Sequence, residues 1–142
     1  MSIQYTPIGT VRSPFETPDA IGHDPDAEGA IVLDDTYAAG LDGLTGFSHV
    51  VILADLDQSE TSSLIAQPPH ADDVEVGVFA TRSPHRPNGI AETVAEIRAR
   101  DGATLSVRGI DLVDGTPVLD LKPYVPRVAP ADVETGWVTE TT

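Results

Sequence analysis

The chain alternates between short apolar runs and polar segments that contain glycine or proline. Most of the apolar runs have the length of a strand, and several alternate apolar with polar residues, which is typical of a strand with one buried face. The longest continuous run is Val50-Val51-Ile52-Leu53-Ala54. The pattern therefore predicts strands over residues 31–33, 49–56, 74–80, 93–99, 104–112 and 118–121.

Two Asp-Gly pairs predict tight turns. Asp101-Gly102 and Asp114-Gly115 each lie between strand-like runs, where this dipeptide favours a reversal of the chain. Residues 90–97 also fit helical spacing, but the Asp101-Gly102 turn follows almost at once, so a strand is favoured there.

The remaining segments are predicted to be short helical turns, loops and an irregular tail. One helical turn is expected at residues 36–39, closed by Gly40. Residues 19–29 read as a loop, and the tail after Tyr124 reads as irregular, with Gly136-Trp137-Val138 as its docking point. Many short strands at this spacing predict a mainly β protein, either a barrel or a sandwich.

Length and composition limit the classes of protein that remain. A chain of 142 residues can bury a core as one domain, expected here over residues 1–142. There is no cysteine, which excludes disulfides and thiol chemistry. No run approaches the roughly 18 apolar residues of a membrane span, and the N-terminus lacks the basic and apolar regions of a secretory signal. The expected location is the cytoplasm.

The sequence is strongly acidic. The formal net charge is −15, with 23 Asp and Glu against 8 Lys and Arg, and Lys122 is the single lysine. An acid-rich, lysine-poor surface is typical of proteins that work in concentrated salt, so a halophilic protein is favoured over an ordinary acidic one. In dilute salt this charge repels nucleic acid, whereas at about 1 M salt the screening length falls to about 3 Å and local contacts decide.

Residues 77–90, GVFATRSPHRPNGI, concentrate scarce positive charge in one stiff segment. Arg82 and Arg86 flank His85, and Asn88 follows. Proline fixes its own φ and restricts the residue before it, so the arginines are held with little freedom. Guanidinium groups suit phosphate, carboxylate and base edges. A functional loop is favoured, with a surface salt-bridge loop as the alternative.

Several common motifs of catalysis and cofactor binding are absent from the sequence. It has no G-x-G-x-x-G after a strand, no Walker A motif, no G-x-S-x-G and no H-E-x-x-H. The four histidines have no metal-ligand spacing, so no metal site is predicted.

Four segments nevertheless occur in a characteristic order between residues 8 and 124. They are IGTVRSPF from Ile8, GL at Gly40 with GFSHV from Gly46, GVFATRSPHRPN from Gly77, and DLVDGTPVLDLKPY from Asp111. Together they resemble the TsaA-like (YaeB-like) family of tRNA methyltransferases, of the TrmO type. The resemblance implies a small antiparallel β-barrel that binds S-adenosylmethionine, usually as a homodimer with the cofactor near the subunit interface. It also implies methyl transfer to N6 of threonylcarbamoyladenosine, next to the tRNA anticodon.

The resemblance also assigns site residues by position. Arg82 matches the family's cofactor-contacting arginine, and Glu92 lies where another cofactor contact is expected. The other implied cofactor contacts are Asp57, Gln58, Asp114, Gly115, Thr116, Pro117 and Val118. Residues that the motifs suggest for the tRNA substrate are Arg12, His49, Arg86, Asn88 and Lys122, and the candidates for catalysis are Arg86, Lys122 and Tyr124.

Physical chemistry refines these assignments. The methyl donor is a sulfonium cation, so Asp57, Glu92 and Asp114 are candidates to hold it, although Glu92 at a strand start is equally compatible with a solvated side chain. The acceptor is a ureido N–H, a poor nucleophile, so catalysis must rest on orientation, with a base acting late. His49 or His85 could be that base, with a structural hydrogen bond as the alternative role.

Two segments depart from the family pattern. After Asn88 the family continues with Pro-Ile-Gly and an apolar residue, whereas this chain reads Gly89-Ile90-Ala91-Glu92. The early loop usually carries a Pro-Arg-Gln contact, whereas residues 19–25 contain neither arginine nor glutamine. The alternatives left open are a barrel of this type with a different methyl acceptor and a non-catalytic ligand-binding module.

Overall fold

A computed structural model describes residues 1–22, 24–57, 62–68 and 74–138. Within these ranges the chain is mainly β, with a few short 3-10 helices. The strands are β1 (Gly9–Arg12), β2 (Glu28–Leu33), β3 (His49–Asp55), β4 (Ile65–Ala66), β5 (Val76–Gly77), β6 (Ile90–Asp101), β7 (Thr104–Arg108) and β8 (Pro117–Pro123). The 3-10 helices are Pro18–Ala20, Asp35–Leu41, Leu44–Gly46, Val78–Ala80 and Pro130–Asp132.

Six of the strands close into an antiparallel barrel in the order β1-β2-β7-β6-β3-β8. Strands β4 and β5 form a separate two-stranded ribbon. Because every pairing in the barrel is antiparallel, the ends of successive strands alternate between its two openings. This result confirms the predicted mainly β class and, between the two alternatives, the barrel.

The barrel interior is filled by alternate residues of each strand. In β3 the buried residues are Val50, Ile52 and Ala54, each 0% exposed, while the residues between them face outward. Small residues also occupy interior positions, as at Ala54 and Ala95, which are 0% and 1% exposed. The other fully buried aliphatic side chains of this core include Val11, Ile31, Leu105, Val107, Ile110 and Val118.

Strand β6 explains how a small sheet can close. Its first half pairs with β3, from Ile90 to Glu96, and its second half pairs with β7, from Glu96 to Asp101. Register shifts occur between Ile97 and Ala99, and in β3 between Leu53 and Ala54, and such bulges increase the local bend. The strand prediction for residues 93–99 is therefore confirmed, and the helical alternative is wrong.

Two predicted strands are wrong in part. Over residues 74–80 only Val76–Gly77 is a strand, because Val78 becomes buried and begins a 3-10 turn, in which the Val78 carbonyl accepts a hydrogen bond from the Thr81 hydroxyl. Over residues 104–112 the strand ends at Arg108, because Gly109 has φ +91° and turns the chain, so that its N–H donates to the Ala27 carbonyl.

Two short elements differ from the pattern-based prediction. Strand β1 has only four residues, too few for alternation to indicate it. The helical turn expected at residues 36–39 is the 3-10 helix Asp35–Leu41, which continues through Gly40 because Leu41 is buried at its end.

The loops, turns and tail follow the prediction more closely. Both Asp-Gly turns are present, with positive φ at Gly102 and Gly115. The predicted loop at residues 19–29 ends where β2 begins at Glu28. The irregular tail returns to the barrel, and the Trp137 indole N–H donates to the Ala80 carbonyl at 2.7 Å.

A close approach between β1 and β2 generates a stability prediction. A Cβ atom at Gly9 would lie 2.3 Å from the Val32 carbonyl oxygen and 2.7 Å from the Leu33 Cα, both in the backbone of β2. We expect Gly9→Ala to lower the free energy of unfolding by about 2 kcal/mol or more, because the strands must separate. The measurement is chemical unfolding followed by circular dichroism.

Gly40→Ala is the matched control for this prediction. No heavy atom lies within 4 Å of a Cβ built at Gly40, which also lacks a positive φ. Its effect on the free energy of unfolding should stay within about 1 kcal/mol. Equal stability of the two variants would contradict the role given to Gly9.

Candidate active site

A cleft of about 1020 Å³ lies at one opening of the barrel. The end of β3, the start of β6 and the chain after β7 meet there, since antiparallel pairing brings Asp55 opposite Ile90. The cleft is lined by Pro18, Ile21, Leu56, Asp57, Phe79, Thr81, Arg82, Pro84, His85, Arg86, Pro87, Asn88, Ile90, Ala91, Glu92, Thr93, Asp111, Leu112, Val113 and Thr116. Loops over a barrel mouth commonly form ligand sites.

The segment from Phe79 to Gly89 forms one wall of this cleft, and internal hydrogen bonds shape it. The Arg86 guanidinium donates from Nη1 to the carbonyls of Thr81 and Ser83, at 3.0 and 3.1 Å. Arg86 is half-buried, so this side chain braces its own loop as well as lining the cleft. The loop is tied to β3 by the Leu56 N–H, which donates to the Gly89 carbonyl at 2.7 Å.

Gly89 stands where the family pattern has proline. A Cβ at this position would lie 3.4 Å from the Leu56 side chain and backbone carbonyl, which is an ordinary van der Waals contact. Packing against Leu56 therefore does not require a glycine here, and this departure from the pattern has no structural explanation.

Arg82 and Glu92 form an open ion pair in the cleft. The Arg82 guanidinium donates to the Glu92 backbone carbonyl at 2.6 Å and lies 3.5 Å from its carboxylate. The two side chains are 74% and 52% exposed. Exposed pairs of this kind contribute little to stability, so either partner can be recruited by a ligand at low cost.

The early loop closes another side of the cleft through Pro18 and Ile21. Its far end is anchored to the barrel by Asp26, whose carboxylate accepts hydrogen bonds from the Arg108 guanidinium. This hydrogen bond, with the charge of Asp26, raises the pKa of Arg108 above its ordinary value. The anchor fixes where the loop returns to β2.

The structure brings one group of predicted site residues together. Six of them line the cleft: Asp57, Arg82, Arg86, Asn88, Glu92 and Thr116. Four more lie at the same end of the barrel outside the lining: Arg12, Asp114, Gly115 and Pro117. Among these, the Asp114 carboxylate accepts the Ser13 N–H at 3.0 Å, which ties the turn to the chain after β1.

A second group lies elsewhere. His49, Lys122 and Tyr124 are at the opposite end of β3 and β8, where the His49 and Tyr124 rings meet at 6.4 Å and Lys122 pairs with Asp120 at 3.0 Å. Val118 is 0% exposed in the core, so its side chain cannot reach a ligand in the cleft. Gln58 lies outside the described residues.

Sequence reasoning missed the polar floor of the cleft, formed by Thr93 and Asp111. The Thr93 hydroxyl donates to the Asp111 carboxylate at 2.6 Å. A polar residue at a core-facing position of β6 was the available signal, because such a residue needs a partner.

The described residues offer neither a metal site nor a membrane-crossing helix. No three His, Asp or Glu side chains in this part of the chain converge to hold a metal ion. Among its helices, none is long and apolar enough to cross a membrane.

Comparisons with known proteins agree with this architecture. A "Probable S-adenosyl-L-methionine-binding protein" from Archaeoglobus fulgidus is 38% identical over 144 residues, covering 99% of this chain and 39% of that protein. A human "tRNA (adenine(37)-N6)-methyltransferase" is 47% identical over 85 residues, 58% of this chain and 19% of that protein. The chain thus spans well under half of either relative.

A solved structure extends the likeness to three dimensions. A crystal structure of TrmO matches with a TM-score of 0.82 at 37% identity, covering 99% of this chain and 66% of that one. The family model for the tRNA-methyltransferase O N-terminal domain matches residues 9–129. This chain therefore belongs to the family of the tRNA-methyltransferase O N-terminal domain, as its motifs indicated.

Proposed function

We propose that this chain, as one barrel domain, is an S-adenosylmethionine-dependent tRNA methyltransferase. Its acceptor is N6 of threonylcarbamoyladenosine next to the anticodon. The observation that carries the proposal is the cleft at the barrel mouth, which gathers Asp57, Arg82, Glu92 and Thr116 on one surface. The names of the archaeal and human relatives support the cofactor and the tRNA adenine acceptor respectively.

The residues of the cleft fit this cofactor. Its volume of about 1020 Å³ lies at the upper end of ordinary ligand sites. The exposed Arg82–Glu92 pair complements an amino-acid group, since the guanidinium suits the carboxylate and the Glu92 carboxylate suits the ammonium. Apolar side chains such as Ile21, Leu56 and Phe79 offer surface for the adenine ring.

The chemistry needs positioning more than strong acid–base groups. When bound, the cofactor supplies an electrophilic methyl group on a sulfonium sulfur. The protein must hold N6 in line with that methyl group, and orientation of this kind lowers the barrier substantially. Carboxylates at the cleft, Asp57 and Glu92 among them, favour a neighbouring cation and offer acceptors for a departing N6 proton.

A second copy of the chain would complete this site. Along β3, at about 3.3 Å per residue, His49 lies about 20 Å from Asp55 at the cleft end, and Lys122, which pairs with Val51, lies about 13 Å from it. The outer face of β3 and β6 between the two groups carries exposed apolar side chains at Val94 (41%) and Ile90 (51%), with the exposed Glu92 between them. We propose that two copies pair through this face, so that the distant group of one chain approaches the cleft of its partner.

The tRNA must bind a protein of net charge −15. Concentrated salt screens the long-range repulsion and leaves short-range contacts from Arg12 and Arg86 at the cleft end of the barrel and, in the proposed pair of chains, from Lys122 of the second copy. The proposal therefore includes activity at high ionic strength.

The first test is methyl transfer in multimolar KCl. Labelled S-adenosylmethionine is mixed with tRNA from a strain lacking this gene, and the digested nucleosides are identified by mass spectrometry. We expect label on N6-threonylcarbamoyladenosine. Label on another nucleoside would indicate a different acceptor. Cofactor binding without label on any nucleoside would favour a binding module.

Arg82 generates a second prediction. We expect Arg82→Ala to weaken binding of S-adenosylhomocysteine about tenfold or more, because a charge-assisted hydrogen bond to its carboxylate is lost. The measurement is isothermal titration calorimetry. Arg98→Ala is the matched control, since Arg98 also pairs with a glutamate on β6, at 3.1 Å, but lies outside the cleft lining. Equal weakening in both variants would argue against a cofactor contact by Arg82.

The proposed pairing of two chains gives a third prediction. Val94→Glu should convert a dimer to a monomer, because it introduces a charge into an apolar contact. Thr10→Glu places the same charge on β1, diametrically opposite β6 in the barrel, and should leave the dimer intact. Light scattering coupled to size exclusion measures both masses. A Val94→Glu variant that stays dimeric would exclude this face.

A further inference from the structure

Thr93 and Asp111 form a polar pair in the floor of the cleft that the proposed chemistry has not used. Thr93 is 6% exposed and belongs to the core-facing side of β6, next to Ala95. Its hydroxyl donates to Asp111 Oδ1 at 2.6 Å. A buried hydroxyl keeps such a bond, because an unsatisfied group in the interior is costly.

This bond fixes the direction of the Asp111 carboxylate. The residues on either side are held by the core, since Ile110 is 1% and Leu112 4% exposed. The second carboxylate oxygen, Oδ2, has no hydrogen-bond partner among the described residues. Asp111 thus presents one oriented acceptor to the cleft, and its backbone has little freedom to move it away.

The other two carboxylates that line the cleft are arranged differently. Glu92 is engaged by the exposed Arg82 guanidinium. Asp57 and Asp111 are both exposed, but Asp57 is the last described residue before a gap in the described chain. Asp111 is therefore the carboxylate of the cleft that is oriented by a buried partner.

We propose that Asp111, oriented by Thr93, accepts hydrogen bonds from the ribose hydroxyls of the nucleoside cofactor. The inference rests on the proposed function, because it assumes an adenosyl ligand in this cleft. Glu92 and Thr93 point to opposite faces of β6, and both line the cleft, as does Asp111. If the Arg82–Glu92 pair takes the amino-acid end of the ligand, Asp111 is the acceptor held from the inner side of β6 for the vicinal hydroxyls, which lie between that end and the adenine ring.

With the ammonium assigned to Glu92, the donors of the ligand that remain for this acceptor are the ribose hydroxyls and the adenine amino group. A carboxylate oxygen accepts and cannot donate, so it selects O–H or N–H groups. Acidic side chains elsewhere bind ribose hydroxyls for the same reason. Asp111→Asn keeps the size of the side chain, and its amide oxygen can still accept from Thr93, but it then turns a donating NH2 group toward the cleft.

The test compares ligands that differ by one hydroxyl. S-adenosylhomocysteine and its 2′-deoxy and 3′-deoxy analogues are titrated calorimetrically into the full chain in multimolar KCl. We expect the unsubstituted protein to lose about tenfold in affinity for at least one deoxy analogue. In Asp111→Asn the parent ligand should bind more weakly. Removal of that hydroxyl should then weaken binding by clearly less than in the unsubstituted protein, because the amide NH2 makes only a neutral hydrogen bond to the hydroxyl oxygen.

Two outcomes would overturn the inference while leaving the proposed function intact. In the first, the unsubstituted protein binds all three ligands with equal affinity. In the second, Asp111→Asn loses as much affinity as the unsubstituted protein does when the hydroxyl is removed. Failure of S-adenosylhomocysteine itself to bind would instead remove the cofactor assignment and the inference with it. Asp35→Asn, an exposed aspartate outside the cleft lining, is the control for the loss of one charge and should behave like the unsubstituted protein.

Variants at Thr93 test the orienting role and guard against misfolding of Asp111→Asn. Thr93→Ser retains the hydroxyl, so it should preserve the discrimination between parent and deoxy ligands. Thr93→Val retains the shape without the hydroxyl, so it should reduce that discrimination several-fold while a folded circular dichroism spectrum is kept. Equal discrimination in the two variants would contradict an orienting role for Thr93.

Discussion

The closure of the barrel by β1 is the constraint on which the rest of the structure depends. This strand has four residues, yet it pairs with both β2 and β8 and so joins the two edges of the sheet. The close approach of Gly9 to Val32 shows how tightly it is held. Without this pairing the sheet has two open edges, and such edges expose unpaired backbone groups.

The same strand builds one rim of the cleft. The Val11 N–H donates to the Thr116 carbonyl at 2.9 Å, and the Gly115 N–H donates to the Val11 carbonyl at 2.7 Å. The Asp114 carboxylate then caps the chain as it leaves β1. The pairing of β1 with residues 115–117 thus fixes both the closure of the barrel and the position of the Asp114-Gly115 turn. The turn in turn sets the place at which Thr116 lines the cleft.

The cleft contains charged groups of both signs and is not a simple positive patch. Its arginines are engaged within the protein, Arg86 by loop carbonyls and Arg82 by Glu92. Three carboxylates, at Asp57, Glu92 and Asp111, line the same space. A mixed lining of this kind favours a ligand that carries charges of both signs over a simple polyanion. The strong net negative charge of the chain makes this balance sensitive to ionic strength.

The sequence by itself determined the class of fold and the family. A continuous apolar run of strand length identified β3, the Asp-Gly turn that follows favoured a strand at residues 93–99, and Asp-Gly pairs identified two turns, because these signals arise from neighbouring residues. Ordered motifs identified the family and the arginine-bearing loop. The pattern predicted a strand over residues 74–80, and this prediction was wrong in part. Burial of Val78 in the tertiary structure decided the local conformation there.

Only the tertiary structure decided which side chains share a site. Arg86 and Lys122 look equivalent in the sequence, yet one lines the cleft and the other lies at the far end of β3 and β8. Val118 falls within a motif but points into the core. Thr93 and Asp111, separated by 18 positions, meet only because β6 and β7 pair antiparallel and Gly109 turns the chain back over the barrel mouth. Strand register and closure fix such distances, and neither is encoded within a short stretch of sequence.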